Sequence, residues 1–439
     1  MNIARVVLSV FVISLLFFPA VMLGNMGFAS SSPSDRWINT YGGANKDRAE
    51  NLIQTSDGGY AIVGETNATS SGRLELWLLR IDSQGSMEWS RTYGTSGNVM
   101  GSCVIQTSDG GYAIAGTANS EAELVKTDAA GNMEWKRIAQ DYSWAYCVIQ
   151  TGDGGYVLAG ATGDSYWSSV DTRVWLTKIG PSGNTVWGKS YAEAGLGSAN
   201  SVIQTNDGGY ALVGTTYEED FLLVKTDAAG DFEWSKTYGS PDKDSGSSIV
   251  QDADGSYVMA GLLWNRTTFS SGSVGVGLVK ADSNGDLLWL KNYPGSGVPS
   301  SMISAGDGNY VLCSGMLDKI DRQGNLLWSQ NVTFDGNLGG DYAVTTSIVA
   351  KTSDEGYAVA GTILSTPPNP QDMTSYVWIG KLDLNGNHSM FIPEFSPIAI
   401  LIVAILISFF ALALKKRYSQ RLDSSNVVSP SARARWNLF

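Results

Sequence analysis

Gln106-Thr107-Ser108-Asp109-Gly110-Gly111-Tyr112-Ala113-Ile114-Ala115-Gly116 is the stretch on which the fold turns. Two short apolar runs, Ser102 to Ile105 and Tyr112 to Ala115, flank its Asp-Gly-Gly. Glycine supplies the positive φ that a tight strand connection needs, so the stretch reads as a β-hairpin. The same wording returns at 54–64, 150–160 and 204–214, with looser copies at 251–261, 304–315 and 351–361. The aligned aspartates, Asp57, Asp109, Asp153, Asp207, Asp254, Asp307 and Asp354, recur about every 50 residues, the length of a four-stranded repeat unit.

A second motif alternates with the first and reads Asp-x-x-Gly-x-x-x-Trp, usually with a cation two residues ahead. It occurs as Asp82/Gly85/Trp89, Asp128/Gly131/Trp135, Asp227/Gly230/Trp234, Asp282/Gly285/Trp289 and Asp321/Gly324/Trp328. Gly180/Gly183/Trp187 lacks the Asp, and Asp383/Gly386 has Met390 where the Trp should stand. This too is a hairpin, so one repeat carries four strands, a to d. An orphan Trp strand, Trp37-Ile38-Asn39-Thr40-Tyr41-Gly42, precedes the first repeat and matches Trp89 to Gly94. The chain is therefore expected to be all-β: a seven-bladed β-propeller of four-stranded blades whose N-terminal strand closes the last blade. Trp37, Trp89, Trp135, Trp187, Trp234, Trp289 and Trp328 are expected to be structural. Buried fully, each would contribute about 4–6 kcal/mol as an upper bound. Trp77, Trp175 and Trp378 share one strand position and read as packing.

The ends differ from this body. Residues 1–29 (Arg5, an apolar run from Val6 to Gly24, then Gly27 and Ala29) read as a signal peptide or an uncleaved anchor. Residues 30–390 form the propeller ectodomain and 391–394 a juxtamembrane linker. The uncharged run 395–414 is long enough for one transmembrane helix, and Lys415, Lys416 and Arg417 place a basic tail, 415–439, in the cytoplasm. The expected localisation is thus a single-pass protein of the cell membrane with an extracellular propeller. Without Arg5 and the tail the chain has 22 basic and 41 acidic residues, a net charge of −19. Such a surface repels nucleic acid and anionic lipid.

At these residues the chain resembles known propeller repeats. Asp-x-x-Gly-x-x-x-Trp is similar to the Trp-docking repeat of pyrroloquinoline-quinone enzymes and of related non-enzymatic propellers. The whole arrangement, over about Trp37 to Asn387, resembles archaeal cell-surface propeller proteins. Ile392-Pro393-Glu394-Phe395 resembles the Pro-Glu-Phe type of archaeal sorting signal, which implies cleavage by a membrane sortase. The 22 residues after Arg417 depart from that pattern, and a retained anchor fits them equally.

If the chain visits strands a to d in turn, the uniform a–b and c–d turns share one face of the disc. The b–c and d–a connections, which vary in length, share the other. Variable loops on a rigid scaffold are where binding sites form. The candidate ligand-binding residues are Tyr142 and Trp144 before the third blade, and Asp164, Tyr166 and Trp167 in its b–c loop. Tyr217, Glu218, Glu219 and Asp220 occupy the matching loop of the fourth blade, and Trp264 that of the fifth. Exposed aromatics beside carboxylates suit sugar or peptide recognition, which points to envelope glycans or surface proteins as partners. The bland alternative is that these rings pack on neighbouring loops.

No catalytic residue is assigned. A quinone-dependent dehydrogenase or a carboxylate-pair glycosidase is the enzymatic alternative, but no adjacent cysteine pair and no repeat-breaking acidic pair stands out. Asp252-Ala253-Asp254-Gly255 and Asp282 to Asp286 resemble calcium loops without their full ligand spacing, so no cofactor is expected, calcium being the candidate. Cys103 and Cys147 share one repeat position and Cys313 lies in a b strand; three cysteines, an odd number, read as small buried hydrophobes. Asn67, Asn265, Asn331 and Asn387 head glycosylation sequons.

Overall fold

The computed structural model describes residues 36–43, 46–67, 73–94, 99–163, 172–218, 220–240, 243–264, 274–294, 301–332, 342–345, 348–365 and 374–386. They form seven antiparallel sheets, six of them with four strands in chain order, as a seven-bladed propeller requires. Blade 2 is representative: strand a is Val99–Gln106, b is Tyr112–Ala118, c is Glu121–Thr127 and d is Met133–Gln140. The a strands of successive blades contact one another around the ring and so line its axis. Strands b and c are packed on both faces, which is why they read as continuous apolar runs rather than alternating ones. Strand d is the outermost and is largely exposed, apart from its half-buried Trp and its last residues.

The ring closes as the orphan strand predicts. Trp37–Tyr41 pairs antiparallel with Ser375–Leu382, from Trp37 opposite Lys381 to Tyr41 opposite Val377. Tyr357–Ser365 lies on the other side of Ser375–Leu382. The innermost strand of this blade is split into Tyr342–Val344 and Ile348–Lys351.

Three repeated contacts explain the repeated residues. First, each d-strand Trp lies on the glycine of the next blade's c–d turn. A Cβ on Gly131, whose φ is +77°, would come within 2.6 Å of the Trp89 ring, and one on Gly85 within 2.7 Å of Trp37. The Trp edge meets the next blade's b-strand Tyr, with Trp89 and Tyr112 centroids 5.8 Å apart and Trp37 and Tyr60 5.7 Å apart. The seven rings are half-buried, not fully buried as expected, because they lie in grooves at the rim of the disc. Their contribution falls below the upper bound accordingly. Trp77, Trp175 and Trp378, by contrast, are buried in the c strands.

Second, each blade pairs the cation that precedes the c–d turn with an acidic side chain, and in blades 1 to 5 that cation is buried. Lys126 is 3% exposed and its Nζ lies 2.8 Å from Asp109 and 2.9 Å from Glu134. Arg80 pairs with Asp57, Lys178 with Asp153, Lys225 with Asp207, Lys319 with Asp307 and Lys381 with Asp354. In blade 5 the partner of Lys280 shifts to Asp252, 2.6 Å away. Third, the repeat Gln ties blade to blade: the Gln106 carbonyl accepts from the Ser56 amide at 2.7 Å, and Gln54 accepts from Ser353 across the closure at 2.6 Å.

The chain divides into two compact units, Met1–His388 and Ser389–Phe439. The propeller belongs to the first, and the expected leader 1–29 and the segments from 391 onward lie outside the described residues. Among the described residues no helix is long and apolar enough to cross a membrane.

Candidate functional site

The a strands of blades 1 to 5 each carry one extra residue. Register shifts fall between Ala49 and Asn51, Gly101 and Cys103, Ala145 and Cys147, Ala199 and Ser201, and Gly246 and Ser248. The residue left over in each bulge is Glu50, Ser102, Tyr146, Asn200 or Ser247. A bulge re-aims its side chain, and these five converge on an axial cavity of about 400 Å³. That volume falls in the range of small-ligand sites. A second section of the channel, about 630 Å³, runs towards the uniform face past Asn51, Ile303 and Val349.

The charged wall of the axial cavity comes from blade 1. Arg48 Nε lies 2.7 Å from Glu50 Oε1. Burial pushes the Glu50 carboxyl up, opposed by Arg48 and reinforced by the negative charge of Glu65. Glu65 is raised for the same first reason, burial, against the same cation. It faces a smaller cavity of about 260 Å³ at the seam between blades 1 and 7, beside Leu74 and Leu364.

On the variable face, Tyr142 is 68% exposed and sits at φ 47°, in the left-handed region. Its carbonyl accepts from the Gly163 amide at 2.9 Å, which pins the d–a connection to the b–c loop of blade 3. Tyr217 is 53% exposed, and its amide donates to the Leu196 carbonyl at 2.9 Å. Glu218 is exposed and Asp220 half-buried. Partial burial, then the Glu218 charge, raises the Asp220 carboxyl.

Two expectations need correction. Trp144 is not a loop residue: it lies in strand a of blade 3, Ser143–Gln150, is 8% exposed, and lines the axial cavity. Trp264 is the last residue of strand b of blade 5, Tyr257–Trp264, and is half-buried. Its amide donates to the buried Asp244 carboxylate at 2.9 Å, which holds it in the strand. Tyr142 and Trp144, then Tyr217, Glu218 and Asp220, then Trp264 thus stand on three consecutive blades. Asp164, Tyr166, Trp167, Glu219, Asn265 and Asn387 lie outside the described residues. Of the other sequon residues, Asn331 is exposed, and the Asn67 side-chain carbonyl accepts from the Lys46 amide at 2.7 Å.

The acidic turns act as turns. Asp252 Oδ2 accepts from Lys280 and from the Tyr310 hydroxyl, both at 2.6 Å. Asp282 accepts from the Asn284 and Asp286 amides at 2.9 Å. Among the described residues no three His, Cys, Asp or Glu side chains gather as a metal-ligand set.

The channel residues were missed in the sequence, although a signal was present. The position four before the repeat Gln reads Glu50, Ser102, Tyr146, Asn200 and Ser247, a variable residue inside an otherwise uniform strand.

No family model matches the chain, and no curated protein matches it. Solved propellers do. The virginiamycin B lyase of Staphylococcus aureus is 10% identical over 79% of this chain and 99% of its own, with a TM-score of 0.52. The Neurospora crassa Pan2 WD40 domain is 11% identical over 82% of this chain and 98% of its own, with a TM-score of 0.52. YCF48 bound to D1 peptide is 11% identical over 82% of this chain and 99% of its own, with a TM-score of 0.51. At this identity the likeness carries the propeller fold and nothing finer.

Proposed function

We propose that this chain is a membrane-anchored propeller of the cell surface that binds a peptide segment of another surface protein, on its variable face and over the axial cavity. The observation that carries the reading is the pair of exposed rings, Tyr142 and Tyr217, on adjacent blades. Both belong to connections of the variable face, and Trp144, two residues after Tyr142, lines the axial cavity together with Arg48. Exposed tyrosines supply large contact area at low entropy cost, and Glu218 and Asp220 beside them favour a neutral or cationic segment. The net charge of −19 outside the leader and tail acts in the same sense. Anchoring rests on the apolar run 395–414 and its basic flank, and the archaeal surface-protein resemblance of the sequence fits this placement. A resident cofactor has no part in the reading.

A peptide array and a glycan array probed with the full chain test it. A Tyr142→Asn/Tyr217→Ser variant should lose peptide binding by about 30-fold or more, the scale of removing aromatic anchors from an interface. Asparagine tolerates the left-handed backbone at 142, so the loss reports the ring and not the turn. Chelation of divalent cations should leave binding unchanged. Binding of glycans alone, or peptide binding indifferent to both substitutions, would overturn the reading.

A further inference from the structure

At the channel wall of blades 1, 5 and 6, the residue three before the repeat Gln position reaches across the blade seam to the backbone of the next blade. Asn51 Oδ1 accepts from the Val104 amide at 3.1 Å, Ser248 Oγ exchanges hydrogen bonds with Met302, and Ser301 Oγ donates to the Val349 carbonyl at 3.2 Å. In blades 2 and 3 this position is Cys103 and Cys147. Their thiols meet at the seam, with Sγ atoms 3.9 Å apart. Both line the axial cavity, and Cys147, the less buried of the two, is the one a small solute entering the channel can reach. Neither is disulfide-bonded, and the third cysteine, Cys313, is buried in another blade.

We propose that Cys103 and Cys147 are a reversible dithiol–disulfide site that staples blade 2 to blade 3 inside the channel, oxidised by small diffusible disulfides. A disulfide needs sulfurs about 2 Å apart, so from 3.9 Å the two must close by about 1 Å each. Their order of reaction follows from their surroundings. Cys147 is the more exposed of the two, and the hydrogen bond from the Cys103 thiol pulls its own thiol down while Cys103 is pushed up.

Cys147 therefore attacks first. Its thiolate bonds to one sulfur of the small disulfide and expels the other as a thiolate. Cys103 then gives its proton to that thiolate and attacks Cys147 Sγ, and the second small thiolate leaves, taking up from water the proton that Cys147 released to it at the start. Two protein thiols and one small disulfide become one protein disulfide and two small thiols. The closed loop spans 44 positions, long enough for a clear restriction of the unfolded chain. This inference does not depend on the ligand or location proposed above.

The test uses the full chain equilibrated with oxidised glutathione. Two of the three thiols should disappear, the intact mass should fall by that of two hydrogens, and one linked peptide should contain Cys103 and Cys147. Dithiothreitol should restore both thiols and lower Tm by about 5 °C or more. The Cys103→Ser variant should stop at one glutathione on Cys147, and Cys147→Ser should take up none. Three thiols still free after oxidation, a link through Cys313, or a link between two chains would each overturn the proposal.

Discussion

Asp109 and Lys126 show how much one repeated pair of letters encodes. Burial opposes the Asp109 charge, but hydrogen bonds from Lys126, Thr107 and the Gly111 amide override it and hold the carboxyl down to about 2. The folded pKa lies below the ordinary carboxylate value, so the stabilisation is present above pH of about 4 and is lost as pH falls towards 2. Asp109→Asn should therefore lower the urea midpoint at pH 6, and the gap to the parent should close as the pH approaches 2.5. A gap that stays constant with pH would show that the charge contributes nothing. Because the Asp109 side chain is 57% exposed, solvent screens the pair and the effect stays small, about 1 kcal/mol or less. This pair was visible in the text only as a turn signal. Its partner, Lys126, was read as part of a motif because no local rule says that a lysine is buried until a carboxylate from the neighbouring hairpin is placed beside it.

Between elements, the contact that sets blade spacing is a Trp ring on a glycine. The Gly131 backbone lies at φ +77°, and its carbonyl accepts from the Tyr93 hydroxyl at 2.6 Å. Gly131→Ala should cost about 1–2 kcal/mol for the left-handed backbone and a further 1–3 kcal/mol for pressing a methyl into Trp89. Chemical denaturation measures the total, and a change in Trp89 emission locates the displaced ring; a neutral substitution would remove the docking contact from the account. Hairpins, Trp strands and their order were legible because each is a local pattern repeated many times. The bulges were not, since one extra residue inside an apolar strand does not alter its composition. They decide where Glu50 and Tyr146 point, and with them the wall of the cavity.

For the molecule as a whole, closure is the cooperative feature. A ring with one seam unpaired exposes two strand edges and the faces of two blades. Strand Trp37–Tyr41 supplies the pairing partner of Ser375–Leu382 and docks Trp37 on Gly85 of blade 1. Arg36 adds a 2.8 Å ion pair with Asp383. Deleting 36–40 should lower Tm by about 10 °C or more and open the seam between blades 7 and 1 to proteolysis, whereas ordinary terminal trimming leaves both unchanged. A truncated chain that melts with the parent would mean that the ring does not depend on this strand.

The amino-acid sequence by itself determined the number of blades, the strand order within each and the strand that closes the ring. Those properties are periodic, and periodicity survives in one dimension. Tertiary structure alone decided which side chains meet: Trp144 went from a supposed exposed loop to a cavity wall, the Trp rings settled half-buried at the rim, and Cys103 and Cys147 came to face each other. Equal positions in adjacent repeats become neighbours only when the repeats are wound about an axis, where the inner strands have no room to stay apart.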